Sequence, residues 1–313
     1  MTETAGASPR SALTADLVDT VAWLWRDDPL TVLAVEARAR LLLLDCLGCA
    51  LAALVKPEVA RLAVALGADA AGSIALPGVA ARLTTANAAA LLAAAICWDE
   101  ACEGLPRAHG RPGIHAAAPA LALALARATT LGDVLRALVA GYEVGGRLGA
   151  AFRIKPGMHV DGTWGTFAAV AAAARLDGLD AAATLDALNA AACQLPFSLY
   201  LPIAEGHTAR NLYLGHAAQL ALLTVAGAAA GIGTPTEGVA TQRRLALGLA
   251  DDVALVPPGT FLILEGYLKR FAGVRHAHYG IACARAWRAE RDADLQTIRA
   301  LTLATYPEAL TYA

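Results

Sequence analysis

The residues best suited to acid–base chemistry gather in one segment of an otherwise apolar chain. Residues 98–119, WDEACEGLPRAHGRPGIHAAAP, contain Asp99, Glu100, His109, Arg111 and His115. Carboxylates and imidazoles transfer protons, whereas guanidinium groups hold anions through paired hydrogen bonds. This composition predicts a site that moves a proton on a small anionic molecule, although a solvated loop with ordinary ion pairs would contain the same residues.

Three further polar segments follow along the chain. In KPGMHVDGTWG, residues 155–165, His159 is flanked by glycines, and Thr163 comes where a helix is expected to begin. A helix N-terminus favours a carboxylate because its N–H groups are free. In EGHTARNLYLGHAAQ, residues 205–219, Arg210, Tyr213 and His216 recur at i, i+3 spacing on one helical face. These residues are candidates for binding a substrate carboxylate.

The fourth segment, GYLKRFAGVRHAHYG at residues 266–280, adds Lys269, Arg275, His276 and His278. An H-x-H pair can hold a metal, but no carboxylate or cysteine accompanies it at ligand spacing. We therefore expect no metal site. Together the four segments predict a pocket for a small polyanion, in which cations neutralise carboxylates and a histidine or aspartate moves a proton.

Apolar helices must position these segments, because each segment lies at a helix end. The hydrophobic pattern predicts a succession of helices. They cover residues 12–27, 31–54, 57–67, 85–98, 114–128, 129 onward, 164–176, 176–194 and 208–230. From about residue 240 the pattern changes, and TIRALTLATY, residues 297–306, alternates as a strand does. The predicted fold is mainly α, with an all-helical domain over residues 1–245 and the beginning of an α/β lid domain over 246–313.

Composition excludes several classes of protein. The net charge is −2 and there is no basic stripe, so nucleic acid is not an expected partner. The uncharged stretch Asn211–Thr236 contains polar residues and ends in GIGTPT, which favours a buried helix over a membrane span. Without a secretion signal the chain is expected to be cytoplasmic. It also lacks the phosphate-binding and nucleophile-elbow motifs, so neither a nucleotide cofactor nor serine-hydrolase chemistry is expected.

These segments, in this order, resemble the MmgE/PrpD family, which includes 2-methylcitrate dehydratase, cis-aconitate decarboxylase and iminodisuccinate epimerase. The resemblance extends from RARLLLLDCLGCALAAL through GYEVGGRLGAAF and the four polar segments to GYLKRFAGVRHAHYGIACA. It implies a large helical domain with a smaller α/β lid, usually in a homodimer, and a site between the domains that needs no metal or cofactor. Asp99, His159 and Lys269 match the family's acidic residue, histidine and lid-proximal lysine.

The resemblance implies a lyase or isomerase that abstracts a proton from a di- or tricarboxylate. Asp99, His109, His159 and Lys269 are then the candidate catalytic residues. The candidate substrate-binding residues, which carry charge or hydrogen-bonding groups, are Arg111, His115, Thr163, Arg210, Tyr213, His216 and Arg275.

Two departures from the family pattern keep other functions open. Arg111 stands where relatives usually carry histidine, and Arg210 where several carry lysine. Members also continue beyond the strand-like segment, so the chain is expected to have a truncated lid. The alternatives are a biosynthetic enzyme acting on a larger, less anionic substrate, a non-catalytic homologue, or one chain of a two-chain enzyme whose second polypeptide supplies the lid.

Overall fold

The fold is mainly α. A computed structural model describes residues 10–68, 72–290 and 295–310. Its helices are α1 (Ala12–Arg26), α2 (Leu33–Leu54), α3 (Pro57–Gly67), α4 (Thr85–Cys97), α5 (Pro112–Ala126), α6 (Leu131–Ala151), α7 (Gly165–Asp177), α8 (Ala181–Ala192), α9 (Leu201–Ala204), α10 (Asn211–Ala229), α11 (Gly238–Leu247), α12 (His278–Glu290) and α13 (Pro307–Leu310). Short 3-10 turns connect several of them, and the described residues contain only isolated β-bridges.

Helices α4, α5 and α7 form the centre of the core, and α2, α6, α8 and α10 pack around them. Every residue from 88 to 97 in α4 and from 165 to 174 in α7 is buried. Small residues allow this close packing. A Cβ atom added at Gly145 of α6 would lie 2.4 Å from the Cβ atom of Ala168 in α7. The high alanine content therefore brings helix backbones together, which bulky side chains would prevent.

Local sequence signals fix where the helices begin. The Thr84 side chain accepts a hydrogen bond from the Asn87 N–H group, and Thr130 forms a capping box with Asp133. Helix α5 begins at Pro112, two residues before the predicted start, because proline is favoured in the first helical turn. The helix also continues through Pro119.

A buried ion pair in α6 attaches the C-terminal part of the chain to the helical body. Glu143 and Arg147 bond each other, and the Glu143 carboxylate also accepts the N–H groups of Leu262 and Ile263. The Arg147 guanidinium donates to three backbone carbonyl groups of the same stretch, between residues 256 and 260. This anchoring holds the following segment, 266–280, over the ends of the core helices.

The strand predicted over residues 297–306 is wrong: 295–297 form a 3-10 turn and 298–306 have no regular structure. A strand is stable only when a neighbour pairs with its backbone groups, and none of the described residues does so here. The division into two domains at residue 245 stays a prediction.

Thr208–Ala229 is the one helical stretch of the described residues long and apolar enough to cross a membrane. It packs against α4, α5, α7 and α8, as expected of a core helix. An exposed apolar stripe instead runs along α2 and ends at the residue that follows it, at alternating spacings of three and four residues: Ala34, Ala37, Leu41, Leu44, Gly48, Leu51 and Val55. The homodimer stays a prediction, and this stripe is the surface we propose for it.

Candidate active site

The four polar segments meet around one cavity of about 430 Å³. The loop after α4 supplies one wall, the segment before α7 a second, α9 and the start of α10 a third, and residues 267–276 the fourth. The polar side chains that line the cavity are Glu100, His109, Arg111, His159, Tyr200, Arg210, Tyr267, Lys269, Arg275 and His276. The convergence predicted from the ends of apolar helices is thus present in the fold.

Glu100 lies at the centre of the charged side chains. Its Oε1 atom is 2.8 Å from Nη1 of Arg111 and also bonds Nη1 of Arg210. Its Oε2 atom is 2.7 Å from Nζ of Lys269, which donates a second bond to the Glu100 carbonyl oxygen. Three cations from three different segments therefore converge on one carboxylate.

Asp161 forms the second half of this network and is completely buried. Its Oδ2 atom bonds Nη2 of Arg111 and lies 3.5 Å from Nη1 of Arg210, whereas its Oδ1 atom has no hydrogen-bond partner in the part of the chain that the structure describes. The two nitrogens of Arg111 that bond these carboxylates also lie 3.4 Å from the Sγ atoms of Cys102 and Cys97. Arg111 therefore joins two carboxylates at the floor of the cavity.

The network holds both acids in their charged forms. Burial alone would raise the pKa of Glu100, but the positive charges of Arg111, Arg210 and Lys269 outweigh it and lower the pKa to about 2. Burial likewise opposes ionisation of Asp161, and the charge of Arg111 more than compensates, so its pKa also falls below the ordinary value. The cavity lining carries four cationic side chains, those of Arg111, Arg210, Lys269 and Arg275, against the two carboxylates of Glu100 and Asp161, which leaves an excess of two positive charges.

Two cavity residues adopt left-handed backbone conformations without being glycine. Glu100 has φ of 54° and His109 has φ of 49°. Such conformations cost on the order of 1 kcal/mol or more for a non-glycine residue, and they concentrate at functional sites. The loop from 98 to 111 is therefore held in a shape that presents these two side chains to the cavity.

His159 is the cavity histidine with a defined resting tautomer. Its Nδ1 atom accepts a hydrogen bond of 3.1 Å from the Asp161 backbone N–H group, so the neutral ring carries its hydrogen on Nε2. Burial lowers the pKa of His159, and the negative charge of Asp161 offsets only part of this effect. The ring stacks on Tyr200, with centroids 6.0 Å apart. At neutral pH the imidazole is thus uncharged and its Nε2–H group is a hydrogen-bond donor.

A backbone bridge brings the last wall of the cavity into place. Gly104 and Tyr267 exchange two backbone hydrogen bonds of 3.0 and 2.9 Å. A Cβ atom at residue 104 would lie 2.4 Å from the Tyr267 hydroxyl oxygen, so only glycine fits beneath this ring. The bridge places Lys269 beside Glu100, and Arg275 covers the Tyr267 ring with its guanidinium carbon 5.7 Å from the centroid.

The structure brings together some of the predicted site residues and not others. His109, Arg111, His159, Arg210, Lys269 and Arg275 line the cavity. Asp99 does not, because its carboxylate faces Lys56 at 3.4 Å, and His216 is exposed on α10. Tyr213 lies behind His159 and donates to the Leu199 carbonyl oxygen.

His115 and Thr163 also lie outside the cavity lining and are buried. The Nδ1 atom of His115 lies 3.0 Å from the Arg111 carbonyl oxygen, and the Thr163 hydroxyl donates to the Val160 carbonyl oxygen at 2.6 Å. These contacts shape the backbone beneath the cavity, so we assign both residues a supporting position rather than contact with a ligand.

Several residues of the cavity and its charged network were not predicted from the sequence, although the spacing of two of them indicates their position. Asp161 is two residues after His159, a spacing at which a side chain often bonds a nearby backbone group. Tyr267 is two residues before Lys269, which places both on one side of an extended chain. Nothing in the sequence distinguishes Glu100 from Asp99. The bond between His276 and Tyr306 joins residues 30 positions apart, a separation at which sequence spacing gives no guide to contact.

A buried acid positions the start of α5. Glu103 is 1% exposed, and its Oε1 atom accepts the Gly113 N–H group at 2.8 Å. Its Oε2 atom has no partner among the described residues. Burial raises the pKa of Glu103 to about 8, against the opposing effect of its bonds to the Gly113 and Ile114 N–H groups. This carboxyl thus supports the turn from which Arg111 reaches the cavity.

We expect Glu103→Gln to flatten the pH dependence of stability between about pH 4.5 and 8. The folded pKa lies above the ordinary value of 4.5, so the folded state alone keeps the proton in this window and stability falls as pH rises. Glutamine mimics the protonated acid, so the variant should be the more stable protein above pH 8, by an amount on the order of a few kcal/mol. Urea denaturation at pH 5 and 8.5 measures this; Glu58→Gln, exposed on α3, is the control and should change neither value.

Comparison with known proteins identifies a family. The family model described as the MmgE/PrpD N-terminal domain matches residues 17–253. A comparison with curated proteins gives no significant match. The matched range runs from within α1 to beyond α11 and includes the first three polar segments, whereas residues 266–280 lie outside it.

Proposed function

The chain belongs to the MmgE/PrpD family, and we propose that it is a lyase or isomerase that moves a proton on a small carboxylate substrate. Members of the family are typically lyases, including dehydratases, and this membership supports an enzyme of that type. The observation that carries the proposal is the pairing of excess positive charge with a neutral, buried imidazole in one cavity.

The positive charge supports binding of a carboxylate. Arg275 faces the cavity with no carboxylate partner among the described residues, and its guanidinium can hold a carboxylate through two hydrogen bonds. Lys269 and Arg210, which both pair with Glu100, add positive potential to the cavity. When a base removes a proton from the carbon next to a carboxylate, negative charge spreads onto its oxygens, and these cations stabilise that charge.

The histidines support the proton transfer. Because the resting tautomer of His159 has its hydrogen on Nε2, we propose that this group donates a hydrogen bond to the substrate oxygen that gains charge. The base is then a different group, and His109, presented to the cavity by its left-handed backbone, is our candidate. Its imidazole takes the proton from carbon while the electron pair moves into the carboxylate. Return of a proton to the opposite face of the carbon gives epimerisation, and departure of a β-substituent gives elimination.

The lining also favours the second candidate, a larger and less anionic substrate than a di- or tricarboxylate. Aliphatic side chains from Leu105, Ile154, Met158, Ile203 and Val274 cover much of the cavity wall. A biosynthetic reaction on such a molecule, for example a cyclisation, would use the same cations and imidazoles. A non-catalytic homologue and a two-chain enzyme are the remaining alternatives, and the next experiment addresses them.

Solvent deuterium exchange tests the proposed function. Purified protein is incubated in D₂O with tri-, di- and monocarboxylates, with and without a chelator, and NMR follows each carbon next to a carboxylate. We expect exchange at one carbon of at least one compound, unaffected by the chelator because side chains perform the proposed step. No exchange in any compound would contradict a catalytic role for the isolated chain, and exchange that disappears with the chelator would contradict metal-independent chemistry.

A further inference from the structure

We infer that the substrate carries a single carboxylate on an apolar body, because Glu100 already occupies the cationic cluster that would hold a second one. This inference rests on the proposed function and narrows its substrate class.

The three cations of the cluster already pair with carboxylates of the chain. Arg111 bonds Glu100 and Asp161, Arg210 bonds Glu100, and Lys269 gives two hydrogen bonds to Glu100. Their side chains are 8%, 11% and 4% exposed, respectively, so little of each cation is open to a ligand. A substrate carboxylate would have to displace Glu100 before it could bind here.

Displacing Glu100 is unfavourable because the fold holds it in place. Because Glu100 belongs to the same chain as the three cations, it is always present beside them. Its two carboxylate oxygens bond side chains from three separate segments. The left-handed backbone at residue 100 directs the chain into this arrangement. A displaced Glu100 would also remain nearby and would repel the incoming anion. Glu100 thus acts as a built-in carboxylate that rejects a second charge on the ligand.

One cation remains for the substrate. Arg275 lies in the same wall as Lys269 with its guanidinium over the Tyr267 ring, is partly exposed, and has no ion pair within the described residues. Around it the walls are aliphatic and aromatic, with Leu105, Ile154 and Val274 among them. A cavity of about 430 Å³ lies in the size range of pockets that enclose largely apolar small molecules. A ligand with one carboxylate on Arg275 and an apolar body against these walls therefore matches the charge and polarity of the cavity lining.

Isothermal titration calorimetry with three probes tests this inference. The probes are citrate, succinate and 4-phenylbutyrate, which carry three, two and one carboxylates. We expect wild-type protein to bind 4-phenylbutyrate at least tenfold more tightly than citrate or succinate. Arg275→Gln should weaken 4-phenylbutyrate binding at least tenfold, because it removes the remaining cation.

Glu100→Gln is the decisive variant. It leaves Arg111, Arg210 and Lys269 without the central negative charge, so the affinity for citrate should rise at least tenfold while that for 4-phenylbutyrate changes less. Glu265→Gln makes the same chemical change at a carboxylate that pairs with Arg107 outside the cavity lining, and should alter neither affinity. Circular dichroism and thermal unfolding establish that each variant is folded.

Two results would overturn the inference. One is wild-type protein that fails to prefer 4-phenylbutyrate by tenfold, which needs no variant and decides the matter even if Glu100→Gln does not fold. The other is a folded Glu100→Gln protein whose citrate affinity equals that of wild type. The exchange experiment fails separately: tight binding of a monocarboxylate without exchange in any compound would contradict the proposed reaction and leave the ligand class intact.

Discussion

We expect His159→Ala to lower the rate of solvent deuterium exchange by about 100- to 10,000-fold, the usual contribution of a well-placed acid–base group. The ring lies in the cavity with its Nε2–H group available to a ligand, and alanine removes that group completely. Substrate affinity should change far less, because Arg275 rather than His159 provides the opposite charge. NMR exchange rates at saturating and limiting substrate separate the two effects.

His159→Gln distinguishes hydrogen bonding from proton transfer at this position. A glutamine amide can donate a hydrogen bond but cannot take up or release a proton at neutral pH. If His159 acts through its Nε2–H group, the glutamine variant should retain at least tenfold more activity than the alanine variant. Equal loss in both variants would instead make His159 a group that transfers a proton and would contradict a purely hydrogen-bonding role for its Nε2–H group.

The pH profile gives a second test of the same residue. Burial lowers the pKa of His159, so the neutral ring predominates at pH 7 and the charged ring appears only at more acidic pH. Protonation occurs at Nδ1, which then loses its bond from the Asp161 N–H group. Because the position of the ring depends on this bond, the exchange rate should fall as the pH is lowered below the ordinary imidazole value of 6.5, and the fall should be less steep in the glutamine variant, which lacks the His159 titration. His207→Ala, an exposed histidine outside the cavity, is the control and should leave the profile unchanged.

The helices could be predicted because their sequence signals are local. The predicted starts and ends of α1, α3, α4 and α7 agree with the structure to within one residue. Capping threonines, prolines and apolar periods act over a few residues, so a single sequence contains them. The predicted strand at 297–306 failed because strand formation depends on a partner elsewhere in the chain. Such a partner is not encoded in the segment itself.

The general position of the site could be predicted, whereas the contacts between its side chains could not. Apolar helix ends that carry charge indicated a polar pocket, and the structure joins all four segments there. The choice between Asp99 and Glu100 depends on the left-handed backbone at residue 100, which directs neighbouring side chains to different sides. Likewise, the bonds of Arg111 to Glu100 and Asp161 depend on how α4, α5 and the segment before α7 pack. Sequence spacing gives no access to such long-range geometry.

We expect Arg111→Met to destabilise the folded protein by about 3–5 kcal/mol, the usual cost of removing one partner from a buried ion pair. Methionine has a similar length and fits beside Cys97 and Cys102, so the loss comes from charge rather than packing. Asp161 is completely buried and would keep one arginine among the described residues, Arg210 at 3.5 Å, with the neutral His159 ring 3.6 Å away. Urea denaturation at pH 7 measures the change. Arg107→Met is the matched control, because its exposed pair with Glu265 is worth about 1 kcal/mol or less.

The direction in which the stability of Arg111→Met changes with pH identifies Asp161 as the buried carboxylate that has lost its partner. In wild type its folded pKa is below the ordinary value, so its contribution is present above about pH 4 and is lost as pH falls further. Without Arg111, burial dominates and the pKa of Asp161 rises above the ordinary value. The variant should then regain stability, relative to wild type, as pH is lowered from 7 to 5.

Arg111→Met combined with Asp161→Asn should recover at least about 1 kcal/mol at pH 7, since no buried charge is left unpaired there. If the single variant stays within about 1 kcal/mol of wild type, Arg111 does not hold the two carboxylates in the folded protein, and it would then be available to a substrate as first predicted from its position in the segment.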